Sequence, residues 1–305
     1  MSNVRTCFIV GAGASAPYKF PLGSELVEQI VSLKLTQENQ NAKGGVDRIG
    51  LLFEMIEDLN RARPDSIDQY IKNARDQYRD VAAWAVSICL AVASESSPIS
   101  FGVQGDWVRF IINRHVDDIL RTGSCDISFV TFNYDTYIER AVGTMLSGYP
   151  TTHSFSELVD SVKCIHLHGC LGKVKVRDLY AEPAESKPSM FENVSERAMR
   201  IAEKYYESLR FYWEKPEQFE AQDRARHILN GAERIVVLGI GQAIEPLRNL
   251  LSGCSSSTRG AEYFATSFGL TDVQTRRLES AFWGAGRCTI KPVKALELLQ
   301  HHVYT

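Results

Sequence analysis

Residues 7–26 read CFIVGAGASAPYKFPLGSEL, and the fold turns on this stretch. Cys7, Phe8, Ile9 and Val10 form an apolar run long enough for one buried strand and too short for a helix. Gly11-Ala12-Gly13-Ala14-Ser15 follows at once, and Pro17, Pro21 and Gly23 punctuate the chain before a helical pattern opens at Ser24. A strand that runs into Gly-Ala-Gly brings backbone N–H groups up to a pyrophosphate. Glycine has no Cβ to hold the ligand away, and a nearby helix N-terminus adds favourable partial charge. The G-x-G-x-x-G fingerprint is not completed, because the chain runs on through Pro17 and Tyr18. The stretch therefore reads either as a phosphate cradle or as a plain tight turn.

Working outward, SELVEQIVSLK over 24–34 predicts a first helix with Ser24 as its N-cap. The polar 36–45 segment ending in Gly44-Gly45 reads as a loop. From Val46 to Leu120 apolar stripes recur at helical spacing, with no strand-like alternation. Strands are expected again at 127–131, 164–167, 234–238, 262–265 and 287–291. Helices are expected from Thr136, over 196–229 apart from Pro216, over 245–251 and 273–283, and at the C-terminal end as far as His301. The polar stretch 177–189 reads as a surface loop. Strands alternating with helices predict an α/β fold, a Rossmann-like doubly wound parallel sheet. Residues 1–35 and 122–305 form that domain in this reading, and 36–121 is an all-helical insertion.

Composition narrows the function classes. At 305 residues and a net charge of −3, the chain gives no electrostatic reason for nucleic acid as its main ligand. Its N-terminus, MSNVRTCFIV, lacks the long apolar core of a signal peptide, and Val81–Ala93 falls short of the ~18 apolar residues that span a bilayer. Seven cysteines, an odd number with no C-x-x-C pair, fit a reduced, cytoplasmic protein better than a disulfide framework.

Four stretches share one grammar of apolar strand, polar or glycine residues, then helix: Gly11–Ser15, Asn133-Tyr134-Asp135, His168-Gly169 and Gly239-Ile240-Gly241. In an open parallel sheet, ligands sit beyond the carboxyl ends of the strands, so these four stretches are expected to face one crevice. Each also has a plainer reading. Asn133 serves as an Asx-turn or cap residue, Asp135 as an N-cap, His168 as a hydrogen-bonded structural histidine, and Gly239 and Gly241 as turn glycines.

GAGAS, then FNYD after a strand, then HLHG, then G-x-G after a late strand resembles the sirtuin-like family, in particular its bacterial NAD-hydrolysing, antiviral defence branch. The resemblance covers roughly residues 5–35 and 125–290 and leaves out the helical insertion. It implies an NAD site. Gly11, Ala12, Gly13 and Ser15 would hold the pyrophosphate and Asp135 the nicotinamide amide. Asn133 would position the attacking water or the nicotinamide ribose, and His168 the ribose hydroxyls, as base or orienting group. Gly239 and Gly241 would approach the adenosine side, with Gln242 as a neighbour. The implied reaction is cleavage of NAD to nicotinamide and ADP-ribose. The alternatives are a protein deacylase or ADP-ribosyltransferase using the same site, and a nucleotide-binding sensor without turnover.

The departures bear on the choice. Where sirtuin deacylases carry Pro-Asp-Phe-Arg, this chain has Phe20-Pro21-Leu22-Gly23, and the four-cysteine zinc ribbon has no counterpart. An acyl-lysine channel is not expected. Nicotinamide leaves NAD already carrying positive charge, so the site must hold the sugar, exclude bulk water and stabilise an oxocarbenium-like centre. An amide orients the water, and an imidazole with a pKa near neutrality takes its proton. Cys164-x-His166-x-His168-x-Cys170 invites a metal, but an extended run of this length spans about 20 Å, too far for four donors to close on one zinc. No metal is predicted, though two adjacent donors with outside help would suffice for one. The resemblance further implies a homo-oligomer or a separately encoded defence partner such as a HerA-like ATPase, docking on the helices between Val46 and Leu120.

Overall fold

The structure is a computed structural model and describes residues 4–34, 48–97, 103–172, 194–211, 218–241, 243–255, 258, 260–282 and 287–305. The loops expected at 36–45 and 177–189 lie outside these residues, as do Pro216 and Gln242. Six strands are described: β1 Thr6–Val10, β2 Ile127–Thr131, β3 Lys163–His166, β4 Arg234–Leu238, β5 Glu262–Thr266 and β6 Arg287–Lys291. All pair in parallel, in the order β3-β2-β1-β4-β5-β6. This is a Rossmann-like, doubly wound α/β sheet, and the chain reverses its direction of travel across the sheet between β1 and β4.

Side-chain alternation along the strands builds two apolar layers. Phe8, Val10, Phe129, Val236, Leu238 and Phe264 point to one face. Cys7, Ile9, Val130, Ile235, Val237 and Ala265 point to the other. On the strand side of the first layer Phe8 stacks on Phe129 with ring centroids 5.2 Å apart.

The helices follow in chain order: α1 Ala12–Ser15, α2 Gly23–Val31, α3 Arg48–Ala62, α4 Ile67–Asn73, α5 Tyr78–Ser96, α6 Trp107–Thr122, α7 Tyr137–Ser147, α8 Phe155–Ser161, α9 Glu196–Tyr205, α10 Gln218–Gly231, α11 Ile244–Ser252, α12 Asp272–Ala281 and α13 Ala295–Leu298. The apolar run in α5 is buried on every side, from Val81 to Ala91, which accounts for its Ala-rich composition. Among the described residues no helix is long and apolar enough to cross a membrane. The helices of the central segment are continuous with the sheet: Leu52, Met55, Trp84, Trp107 and Ile111 share one apolar cluster with Phe8 and Val10. Each such large side chain, fully buried, contributes roughly 2–3 kcal/mol.

Two local expectations are corrected. α2 begins one residue before Ser24, and its N-cap position is Leu22, whose N–H donates to the Glu25 carboxylate at 2.8 Å. The acid three residues in supplies the cap that Leu22 cannot. The helix expected through 206–211 is also interrupted. The chain leaves α9 through a 3-10 turn, Tyr206–Ser208, and Arg210 donates its N–H to the His168 carbonyl at 2.8 Å instead of continuing the helix.

Candidate active site

The ends of five neighbouring strands, β3-β2-β1-β4-β5, are stitched together at one level. Gly11 N–H donates to the Leu238 carbonyl at 2.9 Å, Phe132 N–H to Val10 at 2.9 Å, and Leu167 N–H to Thr131 at 2.9 Å. Gly239 N–H donates to the Thr266 hydroxyl at 2.9 Å. The four stretches singled out in the sequence therefore leave the sheet side by side, around the reversal between β1 and β4, where doubly wound sheets bind their ligands.

The glycines pack loop against loop. Gly239 has φ +64°, and a Cβ on it would stand 2.0 Å from Ala14 N. A Cβ on Gly11 would meet the Gly239 carbonyl oxygen at 2.7 Å, and one on Gly13 the same oxygen at 3.0 Å. Gly13 donates its N–H to that oxygen at 3.0 Å and Ala14 donates to Gly11 O at 2.9 Å. Part of the backbone expected to cradle phosphate is thus spent on the neighbouring loop. Among the described residues Ala12 keeps its N–H without a hydrogen-bond acceptor. Gly241 differs from the rest: among the described residues, its chain neighbours aside, nothing lies within 4 Å of where its Cβ would be. The absent side chain there keeps space open rather than allowing close packing.

Ser15, Asn133 and Asp135 form one buried chain of hydrogen bonds. Ser15 Oγ donates to Asp135 Oδ2 at 2.9 Å, and Asn133 Nδ2 donates to Ser15 Oγ at 2.9 Å. Tyr137 N–H donates to Asp135 Oδ1 at 3.1 Å. An ionised carboxylate only accepts, so Ser15 must donate to it and receive from the amide, which fixes the Asn133 amide orientation. Among the described residues, Asn133 Oδ1 accepts no hydrogen bond. Burial raises the Asp135 pKa, opposed by the Tyr137 N–H and the Ser15 hydroxyl. Asp135 thus acts as the local cap and as the anchor of Ser15, with both oxygens engaged inside the protein. The Ser15 hydroxyl is likewise engaged within the protein.

His168 lies beyond the end of β3, against the two residues that flank Asn133. Its ring centroid is 5.7 Å from that of Phe132 and 6.2 Å from that of Tyr134. Asn133 and His168 are therefore brought to one end of the sheet. Burial among these rings lowers the imidazole pKa to about 4, so the ring is neutral at pH 7 rather than poised near neutrality as expected. Its backbone is held by Arg210, and the Arg210 carbonyl in turn accepts the Tyr134 hydroxyl at 3.0 Å. Gly169 has φ +76°, and a Cβ on it would collide with the Ser208 carbonyl oxygen at 1.9 Å.

Three supports carry no motif in the sequence. Trp107 Nε1–H donates to the Ala14 carbonyl at 2.7 Å, tying α6 to the glycine turn. Tyr18 stacks on Tyr137 with centroids 3.6 Å apart, and its hydroxyl donates to Asp106 Oδ1 at 3.0 Å. His166, read from the sequence as a core residue, bonds through Nδ1 to the Asn133 carbonyl at 2.9 Å and through Nε2 to Glu139 Oε1 at 2.7 Å. Glu139, Cys164 and His166 bring one donor atom each within 4.8 Å of one another. The Nε2–Oε1 separation is a closed hydrogen bond, shorter than the roughly 3.3 Å between two ligands bonded near 2 Å to one tetrahedral zinc. None of the seven cysteines forms a disulfide.

No family model matches the chain, and no curated protein matches it. Among solved structures the chain is similar to a mutant Sir2 homologue in complex with ADP-ribose, at 16% identity over 97% of this chain and 89% of that one, with a TM-score of 0.44. It is also similar to a Sir2 homologue in complex with NAD, at 14% identity over 97% of this chain and 87% of that one, with a TM-score of 0.41. The functional reading rests on the residues of the site itself.

Proposed function

We propose that this chain is an NAD glycohydrolase, cleaving the bond between nicotinamide and ribose to release nicotinamide and ADP-ribose. The observation that carries the reading is the buried Ser15–Asn133–Asp135 network placed at the strand reversal beside His168. The sequence resemblance to the NAD-hydrolysing sirtuin-like branch supports it.

In this reading the dinucleotide lies across the ends of β1 and β4. The Ala12 N–H meets the pyrophosphate, and the open space at Gly241 admits the adenosine side. Asn133, held through Nδ2, offers Oδ1 to the attacking water. His168, neutral at pH 7, accepts a hydrogen bond from a ribose hydroxyl and keeps positive charge away from a centre that is itself becoming cationic. Water adds to the anomeric carbon as nicotinamide departs with the bonding pair, and one proton is released to solvent. Asp135 takes a positioning role through Ser15 in place of direct contact with the nicotinamide amide. Deployment as an NAD-depleting effector of antiviral defence belongs to the same reading, as does control through a homo-oligomer or a HerA-like partner on the helical segment.

The test is release of nicotinamide from NAD by the purified protein, alone and with the product of the neighbouring gene. Asn133→Ala and His168→Ala are each expected to lower turnover by 100-fold or more while the protein stays folded. No nicotinamide from the wild type under either condition, or wild-type turnover in Asn133→Ala, overturns the reading.

A further inference from the structure

The chemistry above makes no use of a charged pair that lies directly behind Asn133. Cys164 and His166 alternate along β3 and so share a face of that strand. Glu139 comes from the first turn of α7. The His166 and Glu139 side chains keep only 9% and 17% of their surface exposed. The two oxygen partners of the ring are acceptors, the Asn133 carbonyl at 2.9 Å from Nδ1 and the Glu139 carboxylate at 2.7 Å from Nε2, while the Cys164 thiol lies farther off, at 3.9 Å from Nε2. Two acceptors require two N–H donors, and an imidazole with protons on both nitrogens is an imidazolium.

Asn133 is then gripped at three points. Its N–H donates to Thr131 Oγ1 at 2.9 Å, its Nδ2 donates to Ser15 Oγ at 2.9 Å, and its carbonyl accepts from His166. We propose that the buried Glu139–His166 ion pair is a positioning device for Asn133, holding the turn after β2 in the geometry that turnover requires. The inference rests on the reading of Asn133 as a group of the reacting site. Neither member of the pair is assigned a contact with substrate, so both are positioning residues.

The surroundings agree. Burial opposes charge on His166, but Glu139 outweighs it and holds the ring at about 9, and Asp135 adds in the same direction. Burial works against the Glu139 carboxylate too, and His166 more than compensates, so its pKa is lowered. The third titratable neighbour, the Cys164 thiol, is pushed well above its ordinary value by burial and by Glu139, and stays neutral. When the imidazolium loses its proton, a ring keeping N–H toward Glu139 turns a lone pair on the Asn133 carbonyl and releases it.

Displacing a catalytic group by about 1 Å costs on the order of 100-fold in rate. His166→Ala and Glu139→Ala are accordingly expected to lower kcat tenfold or more, with KM changed less than threefold. Glu139→Gln keeps the shape and donates to Nε2, so a neutral ring still donates from Nδ1. It is expected to recover most of kcat and to lack the fall in activity expected of the wild type as pH rises through 9. Nitrogen-15 spectra of the histidine rings, assigned with His166→Asn, are expected to show both His166 nitrogens protonated at pH 7.5 in the wild type.

A singly protonated His166 ring, unchanged kcat in both alanine variants, or zinc retained at one equivalent and lost in Cys164→Ser overturns the proposal. If the wild type releases no nicotinamide, the functional reading falls by itself. The spectra still decide the positioning claim: an Asn133 side-chain amide signal displaced in Glu139→Ala and restored in Glu139→Gln supports it, and an unmoved signal refutes it.

Discussion

At the scale of single residues, two glycines of one loop do opposite work. Gly239 adopts φ +64° with Ala14 pressed against its Cα, so Gly239→Ala meets both an unfavourable backbone and a backbone clash. It is expected to cost at least about 2 kcal/mol in urea-induced unfolding. Gly241 faces open space, and Gly241→Ala is expected to unfold within about 0.5 kcal/mol of the wild type while raising the KM for NAD roughly tenfold. The glycine positions themselves were legible, because Gly-Ala-Gly after an apolar run has few other uses. Which glycines are packed against backbone and which face open space was not, since that depends on the backbone opposite. Glu139 was invisible for the same reason. It reads as one polar residue in an amphipathic helix until the fold sets His166 against it.

At the scale of elements, the six described strands fall within a residue or so of their expected bounds, most plainly β1, β2 and β4, whose burial on both faces leaves little freedom in their side chains. Departures from helix were harder to foresee. Leu209–Phe211 leaves its helical course for a tertiary partner, the His168 carbonyl, that no local pattern encodes. The same holds for Trp107, which reads as an ordinary core position at the start of α6, yet its indole donates to the Ala14 carbonyl. Trp107→Phe keeps most of the buried ring and strands that carbonyl, an expected loss of about 1–3 kcal/mol measured by chemical denaturation. The glycine turn is expected to exchange its amide hydrogens faster as a result.

At the scale of the whole molecule, strand order was not readable, since the apolar pattern of a buried strand does not say which neighbour it pairs with. The order observed gives the four strand-end stretches a common edge to emerge from, and the histidines buried there bring a pH dependence. His168, lowered from 6.5 to about 4 by burial, binds fewer protons folded than unfolded. Its contribution is present above pH 6.5 and is lost as pH falls toward 4, a decline of about 2 kcal/mol between pH 7 and 5. His166, raised to about 9, contributes fully below pH 6.5 and loses that contribution as pH rises through 9. Unfolding measured from pH 5 to 9 is expected to show greatest stability near neutrality, and His168→Gln is expected to flatten the acid side alone.

The indole bond from α6 to the glycine turn has a thermodynamic corollary. If the glycine turn holds a dinucleotide as proposed, any macromolecule that shifts α6 on docking, and with it the Ala14 carbonyl, changes the affinity of that turn by some factor. Linkage then requires the dinucleotide to change that macromolecule's affinity by the same factor, a coupling carried by a single indole proton.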